Sequence, residues 1–104
     1  MNSHAYLAKQ LFKMAETSTD ETVKLSALLR CIEEIAIFRY NIDDSVEDYQ
    51  SVMLNYIKND DKIYKLYSEI LDEMFYYLLS DEVNLNSVIE DVRKEVNRIQ
   101  IEET

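Results

Sequence analysis

The chain contains no glycine and no proline. Hairpin turns, phosphate-cradling loops and dinucleotide-binding loops lean on glycine for positive φ or for close backbone approach, so these designs are excluded as an organising theme. Without proline there is no obligatory helix breaker, and turns must be made by Asn, Asp and Ser. Cys31 is the single cysteine, so no disulfide can form within one chain and a Cys/His zinc site lacks ligands. No stretch approaches the ~20 apolar residues that span a bilayer. The opening residues Met1 to Lys9 lack a basic start followed by an apolar run, so no signal peptide and a cytoplasmic location are expected. Positive charge is scarce, with 11 Lys and Arg against 21 Asp and Glu, a net charge of −10. Such a balance points away from nucleic acid and away from an anionic membrane surface as partners.

What remains is a helical chain. The 104 residues are 47% hydrophobic, which suits one compact domain over 1–104 rather than a disordered segment. Five amphipathic segments can be read. The first, Ser3 to Thr17, repeats Leu7, Leu11 and Met14, with Ala8, Phe12 and Ala15 beside them. Either Ser18, with Glu21 at capping-box spacing, or Asp20 can cap the second helix. That helix, Asp20 to Tyr40, is apolar almost all round through Leu25, Leu28, Cys31, Ile32, Ile35 and Ile37, so it is expected at the centre.

The third helix is expected over Ser45 to Lys58, after a turn at Asn41–Asp44. The fourth, Asp61 to Leu79, has the strongest period, in Ile63, Leu66, Tyr67, Ile70, Leu71, Met74, Phe75 and Leu78. The fifth, Asn84 to Ile101, repeats Leu85, Val88, Val92, Val96 and Ile99 and ends in basic turns with Arg93, Lys94 and Arg98. The tail Glu102-Glu103-Thr104 is expected to fray. Short linkers predict that consecutive helices pack antiparallel, giving an all-α, up-and-down antiparallel bundle of four to five helices.

Charge is unevenly distributed along this frame. Between Tyr40 and Ile57 there are four acids (Asp43, Asp44, Glu47 and Asp48) and no Lys or Arg. Between Leu66 and Val92 there are seven, among them Glu69, Asp72 and Glu73, again without a base. Tyr40, Tyr76 and Tyr77 stand among these acids. Tyrosine rings bury area while carboxylates meet a cationic partner, so Tyr40, Asp43, Asp44, Glu47, Asp48, Glu69, Asp72, Glu73, Tyr76 and Tyr77 are the expected partner-binding residues. Tyr49 and Tyr56, seven residues apart on the third helix, offer a face for a homodimer.

Catalytic material is thin. His4 is the only histidine and is expected on the surface. Cys31 sits among Leu28, Ile32 and Ile35, where a cysteine is a small inert hydrophobe. Carboxylates alone could support chemistry. Glu69 and Asp72 lie one turn apart and could hold Mg²⁺ with help from a facing helix.

The run Glu69 to Leu79, followed by Val83 to Ile89, resembles the last motif and final helix of MazG-type nucleoside triphosphate pyrophosphohydrolases. That resemblance implies an all-α enzyme binding Mg²⁺ through paired carboxylates. It offers Glu34, Glu69 and Asp72 as ligands, with Ile37 where a further carboxylate would stand. The chain is also similar in type to small acidic all-α immunity proteins, which neutralise a toxin made alongside them, often a nuclease. Tyr40 to Tyr49 and Asp72 to Tyr77 would be the recognition stretches. The leading expectation is therefore a non-enzymatic acidic protein without a cofactor, an inhibitor or immunity protein that covers the cationic active site of a basic partner such as a bacterial nuclease toxin. The alternative is the Mg²⁺-dependent hydrolase.

Overall fold

The computed structural model describes residues 2–103. Five helices occupy them: α1 Ser3–Thr17, α2 Glu21–Arg39, α3 Tyr49–Lys58, α4 Asp61–Ser80 and α5 Asn86–Glu103. No strand occurs among the described residues. None of the helices is long and apolar enough to cross a membrane among these residues.

Caps set the helix starts. The Asn2 side chain accepts from the His4 and Ala5 N–H groups, Asp20 from Thr22 and Val23, and Asp60 from Ile63. Asp20, rather than Ser18, is thus the cap of α2. Among the described residues, the two with positive φ are Asn41 (49°) and Asp81 (59°). Both side chains tolerate the left-handed region, so they do the work glycine would otherwise do. Asp81 ends α4 by donating its N–H to the Tyr77 carbonyl at 2.9 Å.

Helix α3 begins at Tyr49, four residues later than the apolar pattern predicts. The Asp43 carboxylate accepts from both the N–H (3.0 Å) and the hydroxyl (2.6 Å) of Ser45. That local turn competes with helix formation, and buried Ile42 pins the segment to the core. Helix α5 begins at Asn86 for a similar reason, since the Asn84 side chain accepts the Asn86 N–H. At its far end the predicted fraying does not extend to Glu102, which lies within α5 with its carboxylate bound to Arg39. Thr104 lies outside the described residues.

Four helices form a ring in the order α1, α2, α4, α5, and α2 also touches α5 across it. The ends that meet show the directions. Tyr40 at the end of α2 bonds Asp60 at the start of α4, while Thr22 and Ser26 near the start of α2 share a groove with Met74 and Leu78 near the end of α4. Glu16 late in α1 meets Arg93 in α5. Arg39 at the end of α2 meets Glu102 at the end of α5. The ring is therefore up-down-up-down. Helix α3 is the exception among consecutive helices. A two-residue turn reverses it into α4, so it runs alongside α2 in the same direction rather than against it. It contacts only α2 and α4.

The core corrects two sequence readings. On α1 the buried face is Ala5, Ala8, Phe12 and Ala15, and Leu7 and Met14 are exposed. Small residues let α1 and α2 approach closely, and the Cys31 thiol donates to the Ala8 carbonyl at 3.2 Å across the contact. A leucine face would hold the helices apart. On α4, Ile63, Leu66 and Ile70 are buried, but Leu71, Phe75 and Leu78 of the predicted stripe are exposed. Helix α3 is ten residues long against twenty for α4, roughly 15 Å against 30 Å. Joined to the start of α4, it leaves the far half of that face uncovered.

Candidate functional site

The first acidic stretch starts where α2 ends and α4 begins, at Tyr40, and runs back along α2: Asp44 meets His4 beside Glu34, and Tyr49 opens α3. Asp72 to Tyr77 lies a further 12 to 17 residues beyond the Asp60 cap, roughly 20 Å along the helix axis.

In the first stretch much of the polar chemistry is turned inward. The Tyr40 hydroxyl donates to Asp60 Oδ2 at 2.5 Å, and its ring stacks on Tyr56 with centroids 4.8 Å apart. Tyr49 packs against the core. The tyrosines proposed for a dimer face are thus partly engaged within the chain. Burial pushes the Asp60 carboxyl up, but the Tyr40 hydroxyl, the Ile63 N–H and the charge of Arg39 together hold it below the usual carboxylate range. The same hydrogen bond, with burial, raises Tyr40. Asp43 Oδ1 accepts from the Ser45 hydroxyl and N–H, which lowers the pKa of this exposed carboxyl. Glu47 and Asp48 are exposed.

His4 departs from the surface role expected of it. Its Nδ1 lies 2.5 Å from Glu34 Oε2 and its Nε2 3.1 Å from Asp44 Oδ2. Arg30 approaches the other oxygen of Glu34 at 2.7 Å. Glu34 is 1% exposed, and these partners offset the cost of burying its polar group. Glu34 is thereby committed to structure. Among the described residues no group of three or more His, Cys, Asp or Glu side chains is placed to hold a metal ion, so Glu34, Glu69 and Asp72 do not come together as the Mg²⁺ reading requires. Cys31 is buried, as its neighbours predicted, and burial with the nearby Glu34 charge pushes its thiol up to about 12.

The second stretch is different. Glu69, Asp72, Glu73 and Tyr76 of α4 line a groove with Asn84, just before α5, and Ser87 in its first turn. Tyr77 turns to the other side of the helix, beside Leu25 and Met74. Next to the acids runs the stripe that the fold leaves bare: Leu71, Phe75 (60% exposed), Leu78 (84%) and Leu79 (69%). This stripe is apolar surface that no other part of the chain covers. No basic residue lies between Leu66 and Val92 to neutralise its acidic border. The acids were legible in sequence. The apolar stripe was misread as core because its period is that of a buried helix face.

Comparison of the chain with protein-family models, with curated proteins and with solved structures found no match.

Proposed function

We propose that this protein is a binding protein that acts by contact rather than by catalysis, docking the outer face of the second half of α4 onto a basic partner. The observation that carries this reading is the juxtaposition on one helix of exposed Leu71, Phe75, Leu78 and Leu79 with Asp72, Glu73 and Tyr76. The apolar side chains gain by leaving water, at about 25 cal/mol per Å². The carboxylates favour a cationic surface and speed its approach. An inhibitor that covers the phosphate-binding cleft of a nuclease toxin, in the manner of an immunity protein, needs this combination. Asp43, Asp44, Glu47 and Asp48, on the segment leading to α3, would add long-range attraction to a cationic surface.

Capture from source-cell lysate tests the reading, using the tagged full chain, an F75S/L78S variant and a D72K/E73K variant. A stoichiometric basic protein retained by the parent, weakened by salt and lost with both variants, is the expected result. The same partner retained equally by both variants, or no partner at either salt concentration, would refute it. Light scattering on the parent and on F75S/L78S identifies the competing occupant. A dimer that the variant converts to monomer would mean that a second copy covers the face.

A further inference from the structure

The seam between α2 and α4 is covered along only part of its length. Helix α3 lies over it, contacting both helices, and fills it with Met53 and Ile57, buried side chains one turn apart. It covers the half where α2 ends. Tyr56 stacks on Tyr40, and Tyr49, at the start of α3, acts on the charge of Arg30 midway along α2. Towards the start of α2 the seam continues as a groove lined by Thr22, Leu25, Ser26, Met74, Tyr77 and Leu78. Leu25 is buried, whereas Thr22, Ser26 and Leu78 are exposed. The groove holds about 250 Å³, below the roughly 300–1,000 Å³ of small-molecule sites. Leu78 joins it to the bare stripe of α4.

Charge around the groove is negative. Asp72 and Glu73 precede Met74 on α4, and no Lys or Arg occurs between Leu66 and Val92. Helix α4 ends beside the groove with no base in its last turn and with Asp81 as its cap, so the negative end of its dipole meets no cation of its own helix. The two bases on the first half of α2 are engaged elsewhere. Lys24 donates to the Ala15 carbonyl, and Arg30 pairs with Glu33 and Glu34. A symmetric contact with a second copy would set these acids against their own counterparts, in a chain of net charge −10.

We infer that the groove receives a basic amphipathic helix of a partner, lying in line with α3 and extending its layer over the α2–α4 seam. This rests on the binding role proposed above and specifies the partner's contact element. Helix α3 spans roughly 15 Å of the roughly 30 Å of α4, which leaves room for a helix of about ten residues. Its apolar side chains at i and i+4 would enter beside Leu25 and Leu78, as Met53 and Ile57 enter the other half. Lys or Arg on its polar face would meet Asp72, Glu73 and the end of α4.

NMR titration of the isotopically labelled full chain tests the inference. The probe is a synthetic capped peptide of about 15 residues, built of alanine and lysine with leucines at i, i+4 and i+7 along one face. A peptide of the same composition with its leucines spread around the helix, and one with glutamate for lysine, are run in parallel. The expected result is saturable binding of the first peptide, amide shifts clustered at Thr22, Ser26, Met74, Tyr77 and Leu78, and an affinity about tenfold above that of the spread peptide. The S26R and T22R variants, each changed at an exposed position on the α2 wall, should keep the parent's melting curve and lose about tenfold in affinity. Absence of saturation up to roughly 1 mM, equal affinity for the spread or the glutamate peptide, or binding unaffected by S26R and T22R would overturn the inference. The lysate capture separates it from the reading on which it rests. A basic partner lost with F75S/L78S but retained by S26R upholds the α4 face and overturns the groove.

Discussion

His4 Nδ1 lies 2.5 Å from Glu34 Oε2, and the same ring reaches Asp44 through Nε2. One side chain on the first turn of α1 therefore ties together the middle of α2 and the segment leading to α3. Replacing His4 with Ala leaves the buried carboxylate with Arg30 alone and frees the 40–48 segment. The expected loss is about 1–3 kcal/mol in chemical denaturation. H4A should also speed hydrogen exchange at Ile42, whose N–H bonds the Ile37 carbonyl. A variant as stable as the parent would show that Arg30 suffices for Glu34.

The Tyr40–Asp60 bond makes stability depend on pH at both extremes. The folded Asp60 carboxyl titrates below its ordinary value. Its contribution is thus present above about pH 4, the unfolded range, and is lost as pH falls through the lower folded value. Tyr40 is raised, so its contribution is present below about pH 10 and lost as pH rises through the higher folded value. Y40F keeps the stack on Tyr56 and removes the hydroxyl. It should cost about 1 kcal/mol at neutral pH and flatten both limbs of a stability–pH curve.

Cys31 should resist thiol reagents. Its side chain is buried, its thiol donates to the Ala8 carbonyl, and burial disfavours the thiolate that such reagents need. Labelling at neutral pH should be slow in buffer and fast in denaturant. Rapid labelling of the folded protein would mean that α1 separates readily from α2.

Arg39 joins the ends of α2 and α5. Its guanidinium lies 2.9 Å from Glu102 and 3.2 Å from Glu95. R39A should destabilise by about 2–4 kcal/mol, chiefly through the buried charge left on Glu95, and helicity should fall at the end of α5. R39K should recover only part, because an ammonium cannot replace the two-pronged contact with Glu102.

The bare stripe of α4 should behave oppositely to a core. F75S/L78S removes apolar groups that make little contact, so its stability should lie within about 0.5 kcal/mol of the parent. Binding of a hydrophobic dye should fall. A loss of several kcal/mol would show that the stripe is covered in solution.

Composition and period alone determined the helical class, the near-complete α1 and α4 boundaries, the central place of α2 and the acidic borders. These follow from local chemistry: no glycine or proline, apolar residues at helical spacing, and Asn and Asp where caps and left-handed turns fall. Tertiary structure decided which apolar residues are inside. Leu7 yielded to Ala5 and Ala8 because the closeness of α1 to α2 favours small side chains. Leu71, Phe75 and Leu78 stayed outside because α3 is half the length of the helix it covers. It also decided that His4 meets Glu34 and that Arg39 meets Glu95, pairs 30 or more residues apart in sequence. Periodicity describes one helix at a time. The meeting of two faces depends on the direction, length and spacing of both, and those are set only when the whole chain packs.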